Sequence, residues 1–171
     1  MDFVCGCYLE LEQEKINHFT AAGPEFAEYL RLKTGVAETY AYFLFPEDVF
    51  PEEQLLHTYL PAIPYIVQYF NYVNDILSFY KEAGERANFI NNYARAKKVS
   101  PFRSLEMVVQ KAIDIFHMIN AILSPNQALQ ETVERFMYGY IAYHLCARRY
   151  KLSELDIPDV DLTRRQLFRR S

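Results

Sequence analysis

Tryptophan is absent from the 171 residues, glycine occurs only 5 times and cysteine 3 times. Three cysteines cannot all pair with one another. Cys5, Cys7 and Cys146 follow no secretory signal, so a reducing intracellular compartment and a cytoplasmic location are expected. Cys5-Gly6-Cys7 has no second cysteine pair to complete a tetrahedral site, which argues against zinc. The formal net charge of -4 offers no basic field of the kind that holds nucleic acid. No apolar run approaches the ~18 residues that a membrane span requires. His18, His57, His117 and His144 never pair at i, i+3 or i+4, so each reads as a surface or core histidine rather than a ligand.

What is present is apolar and helical. Hydrophobic residues make up 51% of the chain and aromatics 16%, enough either for an aromatic-lined cavity or for a well-filled helical core. The length suits one all-α domain with a real core, expected over residues 1–155, followed by a polar and basic tail over 156–171. A first helix is expected from Met1 to about Phe19, interrupted at Gly6; a glycine inside a helix costs about 1 kcal/mol relative to alanine. Ala21-Ala22-Gly23-Pro24 is a turn, and a helix is expected from Glu25 to Phe45. Pro46 to Pro51 ends it, and the acidic cluster Glu47, Asp48, Glu52 and Glu53 reads as a solvated loop and an acidic first turn. The next helix is expected from Glu52 through Glu82, kinked or split by Pro61 and Pro64. A short segment from Glu85 to Lys97 precedes a helix opened by Pro101 and Ser104 and reaching Leu123, with Leu105, Val108, Ala112, Ile115 and Ile119 as its apolar face. The last helix is expected from Gln127 to Leu152, and the arginine-rich end after Thr163 reads as a frayed terminus or an amphipathic tail.

Two stripes on these helices carry chemistry. Asn74, Ser78 and Glu82 recur at i, i+4 and i+8, on one face, over roughly 12 Å of helix axis. All three carry oxygen, which suits a hard cation such as Mg²⁺. Lys81 returns to nearly the angle of Asn74 and would place an ammonium beside such an ion, as a polyphosphate ligand requires. Continued backward, the stripe reads Phe70, Val67 and Ile63, an apolar wall with a polar mouth. In the last helix Tyr138, Ala142, Leu145 and Arg149 repeat the design with a guanidinium at the end, whose planar fork suits a diphosphate.

The string Asn74-Asp75-Ile76-Leu77-Ser78-Phe79-Tyr80-Lys81-Glu82 resembles the second metal-binding motif of class I terpene cyclases of the fungal trichodiene synthase family. Tyr143 to Glu154, with Arg148-Arg149-Tyr150, is similar to that family's C-terminal basic motif, in the family's order and at about its spacing. A bare Asn-x3-Ser-x3-Glu would arise by chance in about a few per cent of chains this long. The nine-residue string with its companion motif is far more specific, and weaker similarity runs from Asp2 to about Leu155.

The resemblance implies a partial class I terpenoid synthase helical barrel, the second half of the bundle. It implies Asn74, Ser78 and Glu82 as ligands of a Mg²⁺ cofactor, and Lys81, Arg149 and Tyr150 as groups that bind diphosphate. Ile63, Val67, Phe70 and Tyr138 are candidates for the cavity wall. Gly6 matches the family's helix break, although close packing of a neighbour explains a helix glycine equally well. The implied reaction is ionisation of farnesyl diphosphate, release of pyrophosphate and cyclisation of the allylic cation within an aromatic cavity; no residue is singled out as its catalyst. The family's aspartate-rich motif finds no match here, and Ala147 stands where relatives carry an acidic residue. A truncated chain with little turnover of its own is therefore expected, with exposed helix faces that favour self-association. The alternative is a catalytically inactive remnant or helical interaction module.

Overall fold

The computed structural model describes residues 8, 9, 12, 23, 25–33, 36–86 and 88–155. Its helices are α1 (Phe26–Lys33), α2 (Ala37–Phe43), α3 (Glu52–Tyr59), α4 (Ile63–Ser78), α5 (Phe89–Lys97), α6 (Pro101–Leu123) and α7 (Gln127–Cys146). Short 3-10 turns occupy Leu60–Ala62, Arg148–Tyr150 and Leu152–Glu154. Every regular element among the described residues is helical, as expected. Gly6, most of the first expected helix and the 156–171 tail lie outside the described residues.

Side-chain caps explain where three helices begin. Asn88, Ser100 and Asn126 each accept a hydrogen bond from the backbone N–H three residues on, which satisfies one of the free donors of a first turn. Pro101 adds a preset φ at the start of α6. Pro61 and Pro64 fall in the 3-10 turn and at the first turn of α4, so the prolines split the 52–82 segment instead of kinking one helix.

Three expected boundaries are corrected. The helix expected over 25–45 is two, since α1 stops at Lys33 and α2 starts at Ala37. α4 stops at Ser78, where Phe79 N–H turns back to the Ile76 carbonyl, so Glu82 lies beyond the regular helix. α7 stops at Cys146, because Ala147 is extended at φ -74° and ψ 119°, and Arg149 sits in the turn that follows.

α4 is the central helix and touches α1, α2, α5, α6 and α7. That position explains why it buries side chains on more than one face, including Ile66, Tyr69, Phe70, Tyr72 and Val73. α6 lays Val108, Ala112, Ile115, Ile119 and Leu123 into the same core, the stripe read from its sequence with Leu105 at its margin. Buried polar groups pin the layers together. Ser104 Oγ donates to the Ile90 carbonyl at 2.8 Å, joining α6 to α5. Arg31 Nε donates to both Asp75 oxygens at 3.0 and 2.8 Å, joining α1 to α4, and the two side chains are only 16% and 11% exposed. The C-terminal ends of α4 and α7 lie side by side, where Asn74 meets His144 and Tyr80 meets Glu154.

Candidate diphosphate and metal site

Tyr150 is the meeting point. Its ring is buried, with Lys81 Nζ 5.6 Å and Arg149 Cζ 5.3 Å from its centroid. One cation comes from just beyond α4 and the other from just beyond α7, and helix C-terminal ends favour positive charge. Lys81 also pairs with Glu82, Nζ to Oε1 at 2.5 Å. Tyr80 OH donates to Glu154 Oε2 at 3.2 Å, a second tie between the segments that follow the two helices. The loss of regular helix beyond Ser78 does not carry Glu82 away, because its N–H donates to the Ser78 carbonyl at 3.1 Å. Asn74 and Ser78 lie on the last turns of α4, Ser78 fully buried and Asn74 half-buried.

His144 joins the cluster from α7. Its Nδ1 is 2.8 Å from the Tyr140 carbonyl oxygen, which can only accept, so Nδ1 carries the hydrogen. Its Nε2 is then the acceptor for Asn74 Nδ2, at 3.1 Å. Burial holds the imidazole below its usual pKa, and the Arg149 and Lys81 charges push the same way against the Tyr140 carbonyl, so the ring is neutral at pH 7. The tyrosine hydroxyl of Tyr150 is pushed up by burial despite the opposing Arg149 charge, so it remains a donor. Asp75, next to Asn74, is raised to about 6 by burial, against the pull of Arg31.

The oxygens this arrangement offers are hard donors: an amide oxygen on Asn74, a hydroxyl on Ser78 and a carboxylate on Glu82. Because His144 engages the Asn74 nitrogen, Oδ1 is the Asn74 atom left for a cation. No group of three or more His, Cys, Asp or Glu is gathered among the described residues, so a cation here would rely on neutral oxygens beside one carboxylate. That donor set fits Mg²⁺.

The expected wall residues separate. Ile63 and Phe70 are buried in the core, with Val67 packed against it. Tyr138 is 61% exposed and lines a cavity of about 340 Å³ between α4, α6 and α7 with Tyr69, Val73, Leu77 and Phe116. A larger aromatic groove of about 800 Å³ runs between α2, the Leu44–Phe50 loop and α7. Tyr40, Phe43, Phe136, Tyr140 and Tyr143 line it, and Phe70 stands behind its wall, 5.2 Å from Phe136 and 5.0 Å from Tyr140 between ring centroids. Tyr143 contacts Tyr150 edge-on at 6.1 Å, so this groove adjoins the polar cluster. His144 and the Arg31–Asp75 pair were not apparent as site residues in the sequence. The one hint was Asp75 itself, a carboxylate in an apolar helix that has to find a partner.

The family profile described as Trichodiene synthase (TRI5) matches residues 1–169. The chain belongs to the trichodiene synthase family. The (E)-beta farnesene synthase of Metarhizium brunneum is 41% identical over 97% of this chain and 51% of its own length. The longiborneol synthase of Gibberella zeae is 35% identical over 86% of the chain and 44% of its own length. The trichodiene synthase of Fusarium sporotrichioides is 30% identical over 91% and 42%. The chain thus spans about half the length of the curated relatives it matches. The regular elements among the described residues are all helical, consistent with an all-α terpene synthase fold, and no helix there is long and apolar enough to cross a membrane.

Proposed function

We propose that this site is the diphosphate-binding end of a Mg²⁺-dependent sesquiterpene cyclase acting on farnesyl diphosphate. The observation that supports it most is the convergence on Tyr150: Lys81 and Arg149, from two motifs, lie within 5.6 and 5.3 Å of one ring. In this reading Lys81 Nζ and the Arg149 fork donate to diphosphate oxygens, and Tyr150 OH adds a neutral donor. Asn74, Ser78 and Glu82 would hold Mg²⁺, which when bound supplies Lewis-acid stabilisation of the leaving diphosphate. Lys81 then exchanges its contact with Glu82 for the substrate. The aromatic groove that adjoins Tyr150 would receive the isoprenoid, with the faces of Phe136, Tyr140 and Tyr143 turned to the allylic cation. Water has to be kept from that cation; the aromatic part of the lining would contribute to this, while Thr132 and Arg135 are its polar members.

A second reading is favoured by the same groove. Phe43 is 74% and Tyr143 55% exposed, an apolar surface that suits a helical interaction module or self-association as well as a substrate. Pyrophosphate binding separates the two. Calorimetry with Mg²⁺ and pyrophosphate is expected to give saturable binding that weakens roughly tenfold or more in Arg149→Ala, the scale of a charged hydrogen bond. Binding that is absent, or indifferent to Arg149 and Lys81, would leave the interaction module standing.

A further inference from the structure

We propose that His144 is the positioning residue that fixes Asn74 with its amide oxygen turned toward the cation, and so couples the Asn74–Glu82 motif to the Arg149–Tyr150 motif. The inference rests on the reading of Asn74 as a cation ligand and deepens it. An asparagine side chain is nearly isosteric about its last torsion, which has two broad wells with oxygen and nitrogen exchanged. In one well Oδ1 faces the ion. In the other an NH₂ with two hydrogens does, which repels it. Something must choose between them, and a group that can only accept at that point does so.

His144 meets that requirement. The Tyr140 carbonyl fixes the proton on Nδ1 at 2.8 Å, leaving Nε2 a pure acceptor 3.1 Å from Asn74 Nδ2. The ring is 1% exposed and is held by the rings of Tyr140 at 4.5 Å and Tyr150 at 4.3 Å, so it has little freedom to turn away. Because Tyr150 is also the platform for Lys81 and Arg149, the ring that orients the metal ligand rests on the ring that orients the diphosphate ligands. Outer partners that orient metal ligands typically change affinity by about 10–100-fold when removed.

The test uses the full chain with Mn²⁺ in place of Mg²⁺ and pyrophosphate as the anion. His144→Asn keeps a donor for the Tyr140 carbonyl but withdraws the acceptor from Asn74, whereas His144→Gln can return an acceptor. Mn²⁺ affinity is expected to fall about 10–100-fold in His144→Asn and to recover to within about threefold in His144→Gln. In an Asn74→Ala background, His144→Asn should cost nothing further, because the residue acts through Asn74. A metal-free readout runs alongside: hydrogen exchange of the Asn74 side-chain amide, slow in the unmodified chain and in His144→Gln, fast in His144→Asn. Unchanged exchange and unchanged Mn²⁺ affinity in a folded His144→Asn chain would overturn the inference alone. An additive loss in the Asn74→Ala background would do the same. If the unmodified chain fails to bind Mn²⁺ with pyrophosphate, the cation reading of Asn74 falls and takes this inference with it.

Discussion

Two clusters in this chain set lysine beside tyrosine and glutamate, and they are built to opposite ends. In the first, Lys111 of α6 pairs with Glu28 of α1 and lies 4.8 Å from the Tyr93 ring and 5.8 Å from the Tyr72 ring. Tyr72 OH donates to the other oxygen of Glu28 at 2.5 Å, so both carboxylate oxygens are engaged. Lys97 also lies over the Tyr93 ring, at 5.3 Å, but pairs with Glu25, so two cations meet two anions between helices, and the group ties α1, α4, α5 and α6 together. In the second, two cations, Lys81 and Arg149, meet at the Tyr150 ring, with Glu82 paired to Lys81. That second cluster sits in turns beyond helix ends rather than between helices. A balanced group packed between elements reads as a fastening. An excess of positive charge presented at a rim, on rigid supports, reads as a place for an anion.

The comparison can be broken by mutation. The largest effect is expected where a fastening loses one half: Arg31→Met leaves Asp75 buried without its guanidinium and should lower stability by about 3–5 kcal/mol in chemical denaturation. A loss under about 1 kcal/mol would show the pair to be incidental to the fold. Next, Arg149→Ala should weaken Mg²⁺-dependent pyrophosphate binding by about 1.5–3 kcal/mol while leaving the denaturation midpoint nearly unchanged. A drop in stability with no change in binding would move the second cluster into the class of the first. Lys111→Met should do the reverse, lowering stability by about 1–2 kcal/mol with pyrophosphate affinity unaltered. The smallest expected effect concerns the groove. If the exposed groove draws copies of the chain together, Phe43→Ser should reduce that association in analytical ultracentrifugation and leave pyrophosphate binding where it was, since Phe43 lines the groove and is not one of the residues that meet at Tyr150. Loss of anion binding in that variant would contradict the division between groove and site.

How much of this could be read from the chain depends on where the deciding interaction lies. α6 was legible almost to the residue, because Pro101 and a regular apolar stripe are local signals, although its cap is Ser100 and not the Ser104 expected to open it with Pro101. The ends of α4 and α7 were not, since no glycine or proline stands near Ser78 or Cys146 to mark them. Tertiary packing stops α7: Tyr150 has to turn inward against His144, and Lys151 takes a left-handed φ of 58° to let the chain follow. Arg149 therefore reaches its place by leaving the helix, not by riding its face as the Tyr138–Arg149 stripe suggested. The polar residues Asn74, Lys81, Glu82, Arg149 and Tyr150 were visible as two motifs, and their meeting was an inference from pattern. His144 was invisible as a partner because Asn74 is 70 residues away, and isolated histidines carry no periodic signal. Tyr138 and Tyr140 line different cavities for a plainer reason: residues 138 and 140 point to opposite sides of α7, and Tyr140 lines the groove beside His144.

The most direct measurement places a paramagnetic ion in the site. With pyrophosphate present, Mn²⁺ should broaden the resonances of Asn74, Ser78 and Glu82 together with those of His144, Arg149 and Tyr150, at the same low concentration, and leave those of Tyr93 and Lys111 sharp. Broadening confined to one of the two motifs, or spread evenly over the surface, would mean that the ends of α4 and α7 do not form one site.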